Sequence, residues 1–148
     1  MGSTVEEMVH LWIIYCRSVA EQSCVVWAGS LTVENKDDLE RTQKSFAKLV
    51  LQDKYSTYKS ALIRLNLISL EDRRKMLSLR FAENSIRNNT LNDLFLLNPS
   101  RTNNITRNPE KYKVIHANTD RLRKSAVVHM QNLLNEKNSN NRGIKRKR

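Results

Sequence analysis

Three glycines (Gly2, Gly29 and Gly143) and two prolines (Pro99 and Pro109) are all that punctuate these 148 residues. Tight turns need residues that tolerate a left-handed φ or fix φ outright, so this small supply argues against a turn-rich β architecture and for long helices. Both prolines sit with seven asparagines (88, 89, 92, 98, 103, 104 and 108) between Asn88 and Glu110, a composition that reads as a loop or linker. The expected fold is all-α: a small bundle of four to five helices with a long Asn-rich loop and a disordered basic tail. Its divisions are a helical core over 1–87, the loop over 88–110, a short extended piece plus a C-terminal helix over 111–135, and the tail over 136–148, too polar to order itself.

Local signals place the helices. Thr4 with Glu7 forms a capping box, after which Met8, Val9, Trp12, Ile13, Cys16, Val19 and Ala20 recur at helical spacing. Leu11, Ile14 and Tyr15 occupy the other side, so this helix is apolar nearly all round and needs cover on more than one face. An uncovered face would favour self-association. Thr32 caps a second helix, with Leu31 as its staple, Glu34, Asp37 and Asp38 at its positive end, and Leu39, Phe46, Ala47 and Val50 inward. A third starts near Ser56 or Thr57 and turns Tyr58, Ala61, Leu62 and Leu65 inward. Ser69 caps a fourth, with Leu70, Leu77 and Phe81 as its packed stripe. Leu94, Phe95, Leu96 and Leu97 anchor the loop, Tyr112 to Ala117 is extended, and Asn118 or Thr119 caps a last helix carrying Leu122, Ala126, Met130 and Leu133.

Charge points to a partner. The formal net charge is +11, and it is uneven: residues 1–55 hold six Lys/Arg against eight Asp/Glu, residues 56–148 hold twenty against seven. A basic C-terminal half suits an anionic partner, nucleic acid first. Arg41, Lys44 and Lys48 fall at i, i+3 and i+7, one face of the second helix. Arg73, Arg80 and Arg87 recur every seven residues on the fourth, joined by Arg74, and Arg121, Arg123 and Lys124 form a third cluster. Contacts of this kind are sequence-independent and salt-sensitive. Aromatics make up only 6% of the chain, too few for single-strand stacking. The closing Lys145, Arg146, Lys147 and Arg148 read either as a nuclear localisation signal or as a flexible basic arm.

Catalytic chemistry finds no footing. Cys16 and Cys24 have neither zinc-site spacing nor the number for a disulfide framework, and fit a reducing compartment. His10, His116 and His129 lack a carboxylate or cysteine partner at metal or triad spacing, and the glycines permit no phosphate loop. The apolar run from Met8 to Ala20 is too short to cross a bilayer, and Glu6 and Glu7 stand where a signal peptide would be positive, so an intracellular protein, nuclear or cytoplasmic, without membrane contact is expected. No cofactor and no metal are expected.

Several blocks carry a resemblance. Val26, Trp27, Ser30, Leu31, Thr32, Leu39, Glu40, Gln43 and Lys44 match a Val-Trp, Ser-Leu-Thr, L-E-x-x-Q-K pattern, and Leu65-Asn66-Leu67 followed by Leu70-Glu71-Asp72-Arg73-Arg74 forms a second block. Together with Glu6 to Trp27 and Arg107 to Asn135, these resemble the C-terminal, thumb-like region of arthropod non-LTR retrotransposon reverse transcriptases of the jockey type. That family is an RNA-directed DNA polymerase, whose acidic residues hold two metal ions at an aromatic-x-Asp-Asp turn. Here the one Asp-Asp, Asp37-Asp38, follows Asn35-Lys36 at a helix start, so the resemblance implies the grip without the catalyst. The expected function is non-catalytic contact with the backbone of an RNA–DNA or DNA duplex. The alternatives are a remnant reused as a helical interaction module that docks through its first helix, and a decayed frame with no selected function.

Overall fold

The computed structural model describes residues 2–97 and 112–145, with the backbone alone for Asn92 and for residues 141–145. Residues 98–111, and Arg146 to Arg148 of the basic tail, lie outside the described residues. The fold is all-α, with no named strand among the described residues. The chain forms two compact units, Met1–Cys24 with Leu31–Met76 and Val25–Ser30 with Leu77–Arg148.

In the first unit, α1 (Val5–Leu11) begins at Thr4, whose N–H donates to Glu7 Oε2 at 2.9 Å while its hydroxyl accepts from Glu7 N at 3.3 Å. A π-helical segment, Trp12–Arg17, then leads into α2 (Ser18–Glu21). Its wider turns lengthen the stride of the inner face toward four residues. Trp12 is therefore buried and Ile13, Arg17, Ala20 and Glu21 half-buried, whereas Cys16 and Val19, expected inside, face solvent. The ring of Trp12 stacks on Phe46 with centroids 4.5 Å apart, an arrangement worth about 1 kcal/mol beyond its buried area.

Thr32 caps α4 (Val33–Leu51), accepting from Asn35 N at 3.2 Å; α3 is the short turn Cys24–Trp27. Thr57 and Ser60 cap α5 (Tyr58–Arg64) reciprocally. Asn66 ends it at φ 51°, with Leu67 N donating to Leu62 O at 2.9 Å and Asn66 N to Ile63 O at 3.2 Å. Such a left-handed terminus suits Asn and swings the chain so that the flanking apolar residues re-enter the core. Leu65 and Leu67 accordingly join Trp12, Ala47, Leu51 and Ala61 in one buried cluster, with Phe46, Val50 and Leu62 against it.

Helix α6 (Leu70–Arg87) opens with Asp72 N donating to Ser69 Oγ at 3.1 Å. Its buried positions are Leu70, Arg74, Ser78, Ala82 and Ser85. The expected stripe is thus corrected: Leu77 is only half-buried and Phe81 is 42% exposed. The side chains enclosed at 78, 82 and 85 are small, and a bulky one there would have to displace close-packed neighbours.

In the second unit α6 ends at Asn89 (φ 53°), with Thr90 N donating to Ser85 O at 2.9 Å. Phe95 is buried with Ala82, Tyr112, Met130 and Leu134, while Leu96 and Leu97 face out, so the expected loop anchor narrows to Phe95 and Leu94. Tyr112 forms one isolated antiparallel bridge with Leu97. The expected last helix is two: α7 (Asp120–Arg123), capped by Thr119, and α8 (Ala126–Lys145), which leaves Leu122 exposed. Helix α8 also runs ten residues beyond 135 into the stretch expected to be disordered. Asn138 Nδ2 and Ser139 Oγ donate to the carbonyls of Leu134 (2.7 Å) and Asn135 (3.0 Å), and Lys137 pairs with Glu83. Gly29 lies against α8 so closely that a Cβ would come within 2.8 Å of His129 Cβ.

Candidate nucleic-acid interface

Long helices carry two kinds of polar side chain here, those that hold backbone and those that reach solvent. On α4, Gln43 and Glu40 are of the first kind. Gln43, buried, donates through Nε2 to Ile68 O at 2.8 Å. Glu40 accepts from Glu71 N and from the Tyr58 hydroxyl, both at 2.6 Å, so a side chain of α4 supplies one of the caps of α6. Burial, and then the bond to Glu40, holds the Tyr58 hydroxyl well above the usual tyrosine range. Lys75, 2.9 Å away, holds the Glu71 carboxyl below the usual range. The sequence blocks around Glu40–Gln43 and Leu70–Arg74 are thus hydrogen-bonded to each other.

Arg41, Lys44 and Lys48 are of the second kind, all exposed. Arg41 is tied to Asp38 at 2.7 Å, and Lys48 lies over the Tyr55 ring, 5.7 Å from its centroid. Asp37 and Asp38 occupy the second turn of α4, past the strongest part of the helix dipole, and Asp38 is held by Arg41. Among the described residues no group of three His, Cys, Asp or Glu is placed to hold a metal ion.

The arginine series on α6 divides. Arg73 is half-buried and donates to Glu21 Oε1 at 3.0 Å, an oxygen that Arg17 also approaches at 3.4 Å. Arg74 is 3% exposed, and neither terminal guanidinium nitrogen has a hydrogen-bond partner. A side chain so enclosed offers no face to a phosphate. Arg80 and Arg87, in the second unit, are exposed, two helical turns or roughly 10 Å apart on one side of α6. Arg121, Arg123 and Lys124 are exposed as well, with Arg123 paired to Asp120 at 3.0 Å.

The second unit repeats the backbone-holding device. Asn135 on α8 accepts from Tyr112 N at 2.9 Å and donates to Tyr112 O at 3.0 Å. One turn earlier, Gln131 accepts from Ile115 N at 3.0 Å and donates to Leu94 O at 2.6 Å. Sequence reasoning passed over Glu40, Gln43, Gln131 and Asn135 as binding groups. For the three amides the signal was an uncharged polar group on an apolar stripe, as in Gln43 four residues before Ala47.

Compared with protein-family models, curated proteins and solved structures, the chain matches none. Among the described residues no helix is long and apolar enough to cross a membrane.

Proposed function

We propose that this chain is a non-catalytic, thumb-like fragment of a retrotransposon reverse transcriptase that binds the phosphate backbone of an RNA–DNA or DNA duplex, with the second unit supplying most of the attraction. The observation that carries this reading is the division of charge. The first unit holds eleven Lys/Arg against ten Asp/Glu, the second fifteen against five. On α4 the basic face shares its helix with Glu34, Asp37, Asp38 and Glu40, and so adds little net field. In the second unit Arg80, Arg87, Arg121 and Lys124 are exposed and make no ion pair among the described residues, and five further cations lie in residues 142–148. Fluorescence anisotropy with a short RNA–DNA hybrid over a salt series tests it. Four or more neutralised phosphates give a log–log slope of about −3.6 or steeper. No binding at low salt would overturn the reading.

The second reading, a helical interaction module, draws on the first helix. Leu11, Ile14, Tyr15 and Val19 are 49–71% exposed on it, an apolar face of the kind that marks contact sites. Sedimentation velocity tests whether that face drives association, and a clean monomer at high concentration counts against a self-associating form.

A further inference from the structure

Helix geometry makes Glu83 and Arg87, four residues apart on α6, natural ion-pair partners. They do not pair. Glu83 bonds to Lys137 of α8, and Arg87 has no ion pair among the described residues. These three side chains rim a cleft of about 440 Å³ in the second unit, whose apolar lining comes from Ile86, Leu134 and Tyr112. Asn138 also lines it, with one amide hydrogen donated to Leu134 O and the second N–H left as a donor. The volume is that of a small-ligand site. It presents one neutral ion pair and one uncompensated guanidinium above an apolar lining, a combination suited to a compact anion with an apolar, ring-bearing body.

We propose that this cleft seats a nucleoside phosphate monoester, with the phosphate on Arg87 and the nucleoside against the apolar lining; this rests on the nucleic-acid reading above. A monoester carries up to two charges near neutral pH, so it competes with Glu83 for Lys137, drawing the lysine onto a second phosphate oxygen. Glu83 is then an internal anion that holds the lysine until the ligand arrives. A free mononucleotide and the phosphorylated end of a strand both present this group.

Titration of the full, isotope-labelled chain with AMP, followed by amide chemical shifts, tests this, with inorganic phosphate as the minimal probe. Shifts are expected around residues 83–87 and 134–138, larger for AMP than for phosphate. Arg87→Gln should weaken AMP binding about fivefold, the loss of one charge-assisted contact. Glu83→Gln should strengthen it about threefold, since a like charge is removed and Lys137 is freed. Both positions are solvent-accessible, so neither variant should impair folding, and the spectrum reports that directly. Silent cleft amides at millimolar AMP, or a Glu83→Gln variant that binds no better, would overturn the proposal. Duplexes with a 5′-phosphate or a 5′-hydroxyl separate the sources: a strand-end site makes Arg87→Gln selective for the phosphorylated duplex. Equal loss on both duplexes makes Arg87 a general backbone contact and overturns the cleft assignment while leaving the proposed function standing. AMP binding without any duplex binding does the reverse.

Discussion

The two units are built on one device and differ in charge. In the first, Glu40 and Gln43 reach from α4 to the backbone of residues 68–71; in the second, Gln131 and Asn135 reach from α8 to the backbone at 94, 112 and 115. A chain with few turn-forming residues leaves irregular backbone between its helices, and buried peptide groups need partners. Side-chain amides and a carboxylate supply them. The first unit is otherwise close to charge balance, and its half-buried Arg17 and Arg73 answer to Glu21. In the second, the clasping residues are neutral amides and the cations with described side chains are exposed. The same structural solution therefore coexists with two electrostatic characters, and only the second suits a polyanion.

The largest expected effect comes from Asn135→Ala. It removes the Asn135 bonds to both the N–H and the C=O of Tyr112 in a buried site, a destabilisation of about 3 kcal/mol. Glu40→Ala should cost about 2 kcal/mol by releasing Glu71 N and the Tyr58 hydroxyl. Hydrogen exchange sharpens the comparison: the first variant should lose protection in α8, the second in α4 and the start of α6. Identical exchange patterns would break the picture of two separately clasped units.

Arg74→Met should act in the opposite direction. Replacing a buried, unpaired guanidinium with an apolar side chain of similar length is expected to stabilise by about 1 kcal/mol. Denaturant unfolding measures this, and nucleic-acid affinity should not change; a loss of affinity would return Arg74 to the interface.

The smallest effect concerns Tyr58. Its folded pKa is raised, so the unfolded chain ionises first, and the stability tied to its protonated hydroxyl is present below pH about 10 and falls as pH rises beyond that. Discounted for partial exposure, the difference between wild type and Tyr58→Phe should reach about 1 kcal/mol near pH 11. Parallel curves would mean that the bond to Glu40 is not holding the proton.

Helix starts were the most legible part of the fold, because a cap is a local event. Thr4, Thr32, Thr57, Ser69 and Thr119 each cap a helix as their side chains and following residues imply. Inner faces were less legible. The π-helical segment at Trp12–Arg17 changes the stride in a way that a fixed 3.6-residue period does not carry, and so Cys16 and Val19 fall outside. On α6 the inner face runs through Ser78, Ala82 and Ser85, chosen for small size where hydrophobicity points to Leu77 and Phe81. Spacing placed Arg73, Arg74, Arg80 and Arg87 on related faces, but not the tertiary neighbours that enclose Arg74 and pair Arg73 with Glu21. For the same reason a sequence reading takes Arg41, Lys44 and Lys48 as a basic face; Asp38, bonded to Arg41, and the balanced charge of the first unit reduce its pull.

Charge reversal in each unit tests the central claim most directly. Arg121, Arg123 and Lys124 replaced together by Glu are compared with Arg41, Lys44 and Lys48 replaced together by Glu, each by anisotropy on the same RNA–DNA hybrid across the salt series. The second-unit variant should lose the greater affinity and flatten the salt slope by about 2 or more, against about 1 or less for the first-unit variant. Equal losses, or a greater loss from the α4 variant, would contradict the assignment of the grip to the second unit.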